Sequence, residues 1–297
     1  MKYALFVSGG LGYSLLKLIY LKIDISFIAT DSKSESIVSF ALQNNIPLFK
    51  GNPRNGKLSE FSKSFDADIA LSINYLFIIE QDTISLFKYA INFHGSLLPK
   101  YRGRTPHVWA IINGEKETGV TAHLIDSGCD TGDIVLQRKV TINVEDTGQS
   151  LLEKYVEIYP EMVQSIIHEV EHQTLMLKHQ DHSLATYFDK RTPEDGQIDW
   201  NWQKERIFNW VRAQTYPYPG AFTLFGKEKI IIDRISYNNS GFDNKMPNGL
   251  ILKSENEIVI VKTPNGAISI DRARSNLEIL NPGDILESPN LKTPSSI

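Results

Sequence analysis

Along the first two thirds of the chain, short apolar runs alternate with stretches whose apolar residues recur at helical spacing. "YALFVSG" is an apolar run that ends in glycine, "YSLLKLIYLK" has helical spacing, and "IDISFIATD" is apolar again with a polar end. That is a strand, helix, strand unit. "SIVSFALQNNIPLF" predicts a second helix and a short strand, "FSKSFDADIALSIN" a helix running into a strand, and "YAINFHG" the next strand. The alternation predicts an α/β fold, a Rossmann-like doubly wound and mostly parallel sheet, with a crevice at the carboxyl ends of its strands. "GVTAHLI" and "DIVLQRKVTI" read as antiparallel or edge strands, and "TGQSLLEKYVEIYPEMVQSIIHEVEHQ" as a long amphipathic helix.

The pattern changes after His182. "ATYFDKRTPEDGQIDW" is rich in turn residues, "QKERIFNWVRAQTYPYPG" reads as a short helix broken by prolines, and "GAFTLF", "KIIIDRISY", "GLILKSENEIVIVKT" and "GAISIDRARS" read as short β runs. Pro-Asn-Gly at 247–249 and again at 264–266 suits tight hairpins. A smaller C-terminal β-barrel-like (OB-like) domain is predicted. Its boundary falls between 183 and 205, which divides the chain into 1–190 and 191–297. The tail from Asn281, with Pro282, Pro289 and Pro294, reads as partly loose.

Composition agrees with two domains. The 297 residues are 41% hydrophobic and 22% charged, enough for one sizeable core and a second smaller one. With 31 basic against 35 acidic residues the net charge is -4, which gives no bulk attraction to nucleic acid or to an acidic membrane. The single Cys129 has no internal disulfide partner. "MKYALFVSGG" reaches its glycines too soon for a signal peptide or a membrane span, so a cytoplasmic protein without a membrane partner is expected.

Candidate chemistry sits at the loops of the first region. The glycines of "SGGLGYS", with Ser8, Gly9 and Gly10, stand where a dinucleotide fold has its phosphate loop, but they do not spell G-x-G-x-x-G. They read first as a plain strand-to-helix turn, and as a ligand loop they suit a small polar substrate better than a nicotinamide cofactor. Asn92 and His94 lie two apart at the end of a strand, so both side chains emerge on one face at the crevice. "DSGCDTGDIV" adds a loop of acids and small residues between two strands. No second His or Cys lies at metal spacing, so no metal is expected. An acid that orients an imidazole, beside an amide that donates to a developing oxyanion, suits acyl transfer without a covalent intermediate.

"NFHGSLLPKYRGRTP", "NGEKETGVTAHLIDSGCDTGDIVLQ", "YFDKRTPEDGQIDW" and "YPYPGAF" resemble the 10-formyltetrahydrofolate-dependent formyltransferases. The resemblance covers most of the chain. Within that family it is greatest to enzymes that formylate a nucleotide-linked amino sugar, such as the UDP-4-amino-4-deoxyarabinose formyltransferase domain. It implies Asn92, His94 and Asp130 as the catalytic set, with Asp130 holding the tautomer of His94 and favouring its charged form. It implies folate binding by Leu76, Phe77, Ile78, Arg104 and the loop Asp126, Ser127, Gly128, Cys129, with Ser96, Leu97, Leu98 and Pro99 lining the same cleft.

The implied co-substrate is 10-formyltetrahydrofolate and the implied partner a dTDP- or UDP-linked amino deoxy sugar for surface polysaccharide. Arg212, Tyr216 and Tyr218, with Ser8, Gly9 and Gly10, are the candidate nucleotide-sugar contacts. Trp210 reads as packing, and Lys100 equally well as a solvated cation. His107, His123, His168, His172, His179 and His182 read as core or surface residues, and the Cys129 thiol as dispensable. The short β domain could make a homodimer contact as easily as it could close the cleft. Methionyl-tRNA formylation is the first rival, but it goes with a long basic loop after the second strand, where this chain has the short "TDSKSESIVSFALQ". A non-catalytic folate-binding protein is the second rival, and a dinucleotide oxidoreductase rests on fold analogy alone.

Overall fold

The computed structural model describes residues 1–289, so Pro294 of the proline-bearing tail lies outside the described residues. Contacts divide the chain into two compact units. The first comprises 1–106, 117–141 and 152–189; the second comprises 107–116, 142–151 and, of the described residues, 190–289.

In the first unit the strands are β1 (Lys2–Val7), β2 (Asp24–Thr30), β3 (Leu48–Lys50), β4 (Ile69–Ile73), β5 (Tyr89–His94), β6 (Arg102–Gly103), β7 (Glu117–Leu124), β8 (Ile134–Thr141) and β9 (Tyr187–Phe188). Seven of them form one sheet in the order β3-β2-β1-β4-β5-β7-β8, parallel from β3 to β5, with β7 antiparallel to both its neighbours. The short β6 pairs with β9. Residues 3–7 of β1 are all buried, which explains an unbroken apolar run where a half-exposed strand would alternate. The helices are α1 (Gly9–Ile19), α2 (Glu35–Gln43), α3 (Lys57–Ser62) and α4 (Gln81–Ile84). Leu15, Leu16 and Ile19 of α1 are buried while Leu18 is exposed, the one-faced burial that helical spacing predicts. Phe27 packs edge-on to Phe61 at 5.4 Å beside Phe6 and Phe65. Emptying that position by Phe27→Ala should cost about 3–5 kcal/mol.

The second unit has a short helix, α5 (Pro106–Ile112), that no sequence pattern predicts, and Pro106 itself falls in the first unit. The long predicted helix is α6 (Gly148–Glu171); from Leu152 on it belongs to the first unit, where Tyr155, Tyr159, Met162, Val163, Ile166 and Val170 are buried. After α7 (Lys204–Ala213) come β10 (Ala221–Phe225), β11 (Glu228–Asn238), β12 (Ile251–Glu255), β13 (Ile258–Thr263) and β14 (Gly266–Ala273), an antiparallel sheet in the order β10-β11-β14-β13-β12. Bridges from Glu287 to Leu224 and from Ile285 to Leu250 tie one segment to both sides of this sheet, giving it its barrel-like character. Fully buried Trp200 donates from Nε1 to Thr223 Oγ1 at 2.9 Å.

One turn assignment is corrected. Pro264 and Asn265 do make the tight β13–β14 turn, but 247–249 precedes β12 without forming a hairpin. The β12–β13 turn is made instead by Asn256 and Glu257, at φ 52° and 62°, the left-handed pair that a tight hairpin needs.

Candidate active site

β4 and β5 run parallel with Ser72 opposite Asn92, so their carboxyl ends open at the same edge of the sheet. The two-residue period of β5 sets Asn92, half-buried, and His94, buried, on one face. β7 then brings His123 directly across from Asn92. Reading His123 as an ordinary core residue is therefore incomplete: its Nε2 is 3.2 Å from Asn92 Nδ2 and 3.5 Å from Asp130 Oδ1. The available signal was the strand "GVTAHLI" itself, antiparallel to the strand that carries the Asn and the other His.

Asp130 lies between the two imidazoles, with Oδ2 at 3.5 Å from His94 Nδ1 and accepting from the Gly103 N–H at 2.9 Å. Burial pushes its carboxyl up, but the His123 contact, the His94 ring and the Gly103 N–H outweigh it and hold the group far below the ordinary carboxylate range. Asp130 is an anion at neutral pH.

His94 behaves differently from the expectation. Its Nε2 lies 2.7 Å from the Tyr101 carbonyl, which can only accept, so Nε2 carries the hydrogen and Nδ1 holds the lone pair in the neutral ring. The Tyr101 carbonyl sets the tautomer, not Asp130. Burial lowers the imidazole's pKa more than Asp130 and the carbonyl raise it, with His123 and Arg102 lowering it further. The ring is thus a neutral base with its accepting nitrogen toward a carboxylate, and a proton taken at Nδ1 would form an ion pair there.

The other candidates divide by burial. Leu76 and Ile78 are exposed and Phe77 is half-buried, an apolar lip after β4, and Arg104 Nη2 reaches the Leu76 carbonyl at 3.4 Å. Ser96 and Leu98 are buried in their own turn: Ser96 Oγ donates to the Lys100 carbonyl at 2.7 Å, and the Leu98 N–H to Thr121 Oγ1 at 3.1 Å. Leu97 and Pro99 are half-buried. Asp126 organises its loop by accepting from the Gly128 N–H at 3.1 Å and from Thr131 Oγ1 at 2.7 Å, with Ser127 exposed between them. Burial and then Asp130 push the Cys129 thiol up, which makes it a poor nucleophile.

Ser8, Gly9 and Gly10 open α1. The Gly9 N–H donates to Ser34 Oγ at 2.8 Å, and Ser34 in turn donates to buried Asp31 at 2.5 Å. Burial pushes the Asp31 carboxyl up, yet hydrogen bonds from Ser34 and the Lys33 N–H bring it below its ordinary value. An anion one hydrogen bond behind the Gly9 N–H disfavours a phosphate there.

Arg212, Tyr216 and Tyr218 belong to the second unit. Arg212 donates through Nη1 to the carbonyls of Asn143 (3.0 Å) and Asp146 (2.7 Å) and through Nε to Asn209 Oδ1 (2.9 Å). Tyr218 pairs with His107 Nε2 at 2.8 Å, burial pushing its hydroxyl up to about 12, while Tyr216 is 73% exposed. Among the described residues no group of three or more His, Cys, Asp or Glu side chains could hold a metal, and no helix is long and apolar enough to cross a membrane.

Residues 24–167 match the family described as formyl transferase, and residues 190–289 match the formyl transferase C-terminal domain. A methionyl-tRNA formyltransferase of Thermodesulfovibrio yellowstonii is 37% identical over 242 residues, 80% of this chain and 76% of the relative. The bifunctional polymyxin resistance protein ArnA of Wigglesworthia glossinidia brevipalpis is 35% identical over 260 residues, 80% of this chain and 38% of that longer protein. Among solved structures, the sugar 3N-formyl transferase WlaRD, crystallised in the presence of dTDP and 5-N-formyl-THF, superposes with a TM-score of 0.71 at 23% identity, covering 93% of this chain and 99% of its own. At that identity the likeness is one of fold.

Proposed function

We propose that this chain, which belongs to the formyl transferase family, moves a formyl group from 10-formyltetrahydrofolate to the amine of a dTDP- or UDP-linked amino deoxy sugar in the cytoplasm, for surface polysaccharide. The pterin would lie on Leu76, Phe77 and Ile78 with its polar edge toward Arg104 and the loop from Asp126 to Cys129. The sugar amine adds to the formyl carbon, and the carbonyl oxygen becomes an oxyanion met by the Asn92 amide. The ammonium proton passes to Nδ1 of His94, forming an imidazolium beside Asp130. The bond from the formyl carbon to the folate nitrogen then breaks and that nitrogen takes the proton, leaving a formamide and tetrahydrofolate.

The observation that carries formyl transfer is the buried His94, with Nε2 2.7 Å from the Tyr101 carbonyl and Nδ1 3.5 Å from Asp130 Oδ2. Folate binding alone requires no such base. The preference for a sugar over tRNA rests on the connection from β2 to α2, only residues 31–34, which carries one lysine beside a buried aspartate. A tRNA acceptor stem calls for a basic surface. Methionyl-tRNA is the second reading because of the 37% identical relative. The test is tetrahydrofolate release by the purified protein against dTDP-, UDP- and GDP-linked amino sugars and against charged initiator tRNA. Turnover with the tRNA and with none of the sugars would reverse the ranking.

A further inference from the structure

Two residues that face His94 have left-handed backbones: Tyr101, at φ 61°, whose carbonyl accepts from Nε2, and Asp130, at φ 55°. Such backbones are disfavoured away from glycine and persist where the surroundings hold them. The surroundings here are the segment after α6. Thr186 accepts at Oγ1 from the Tyr101 N–H at 2.8 Å and at its carbonyl from the Arg102 N–H at 2.8 Å, and the Phe188 ring stacks on Tyr101 at 4.9 Å. Gln180, 5% exposed, donates through Nε2 to the carbonyls of Asp130 (2.9 Å) and Gly132 (2.7 Å), while its Oε1 accepts from Arg102 Nη2 at 2.7 Å. Arg102 is 1% exposed, and none of the ion pairs among the described residues includes it. Its other donations go to Tyr187 Oη at 2.5 Å and His182 Nδ1 at 3.0 Å.

We propose that Gln180 is a positioning residue for formyl transfer, clamping the turn that presents Asp130 to the buried side chain of Arg102, next to the carbonyl that orients His94. The inference rests on the reading that His94 and Asp130 act in the reaction. An amide suits the position because it has two N–H donors for the carbonyls and an oxygen for the guanidinium. A carboxylate could take the guanidinium but not the carbonyls, and an ammonium the reverse. Loss of the clamp frees the Asp130 turn, and misplacement by about 1 Å costs on the order of a hundredfold in rate.

The test is Gln180→Met, which keeps the length of the side chain and removes its polar end. The expected kcat is roughly tenfold to a hundredfold lower. The groups bearing on His94 are Asp130, the Tyr101 carbonyl, His123 and Arg102. As Asp130 recedes, the influence that raises the imidazole pKa weakens, so the His94 titration followed by 15N NMR in the unliganded protein should move to lower pH. Should this variant fail to fold, Gln180→Glu keeps Arg102 paired, offers no N–H to either carbonyl and should show the same loss of kcat. Near-normal kcat in either folded variant, or a rate loss in Gln180→Met with the His94 titration unmoved, overturns the proposal. The NMR titration needs no substrate, so it separates failure of the clamp from failure of the proposed reaction, which normal turnover by His94→Asn would reveal.

Discussion

Each unit contains an aspartate beside positively charged or titratable partners, buried in the second and half-buried in the first, and the two are built differently. In the second unit Asp233 accepts from Arg274 Nη2 at 2.7 Å, Arg274 Nε at 2.9 Å and Thr215 Oγ1 at 3.0 Å, and the same guanidinium donates to the carbonyls of Tyr218 and Pro219. Burial pushes the Asp233 carboxyl up, and Arg274 and Thr215 more than reverse it. Every partner there keeps its proton at any ordinary pH, so the cluster is closed and holds the loop in place. In the first unit Asp130 has two imidazoles at 3.5 Å, each with its other nitrogen tied to a backbone carbonyl, Tyr101 for His94 and Leu124 for His123. An imidazole, unlike a guanidinium, changes charge near neutral pH. A buried carboxylate is therefore not in itself a mark of chemistry; what matters is whether its neighbours can change charge.

The largest expected effect is on the open cluster. His94→Asn should lower kcat about 10²- to 10⁴-fold with both substrates still bound, as steady-state kinetics and folate binding would show. Asp130→Asn should be nearly as harmful, and the double variant should lose little beyond the worse single one, because the two act as a unit. Fully additive losses would dissolve the comparison. Asn92→Ala should cost roughly 10²- to 10³-fold in kcat and little in KM, since its amide meets an oxyanion absent from the ground state.

The pH profile sharpens the same contrast. In the proposed transfer His94 takes a proton as a neutral base; with its pKa lowered by burial, the acid limb of kcat/KM should fall below the ordinary histidine value of about 6.5. A limb above that value would contradict the neutral ring. The closed cluster should respond in stability instead. Asp233→Asn should destabilise by about 1–3 kcal/mol in urea unfolding and leave kcat intact in the folded enzyme. Because the folded pKa of Asp233 is depressed, its contribution is full above the unfolded carboxylate value of about 3.9 and disappears as pH falls through the lower folded value. Smallest of all, Cys129→Ser should leave turnover within about twofold, since the proposed transfer uses no thiol and burial pushes this one up.

Much of this arrangement is legible in the chain. The apolar runs locate the strands of both units, and the two-residue spacing of Asn92 and His94 puts them on one face of a strand. What escapes is whatever depends on pairing between distant segments. His123 looks like packing until β7 is registered against β5, and the donation of Arg212 to the carbonyls of Asn143 and Asp146 joins segments more than sixty residues apart.

By itself, the order of residues determined the alternating α/β unit, the C-terminal β domain and the types of side chain gathered at the candidate site, because periodicity and side-chain acidity are local properties. Only the tertiary structure decided which His94 nitrogen carries the hydrogen, that burial lowers the pKa of its ring, and that Gln180 and Arg102 sit behind the Asp130 turn. The reason is physical. A tautomer is set by a main-chain oxygen that any residue at position 101 would carry, and a pKa is set by water excluded by side chains far away in the sequence, and neither has a signature in the order of residues.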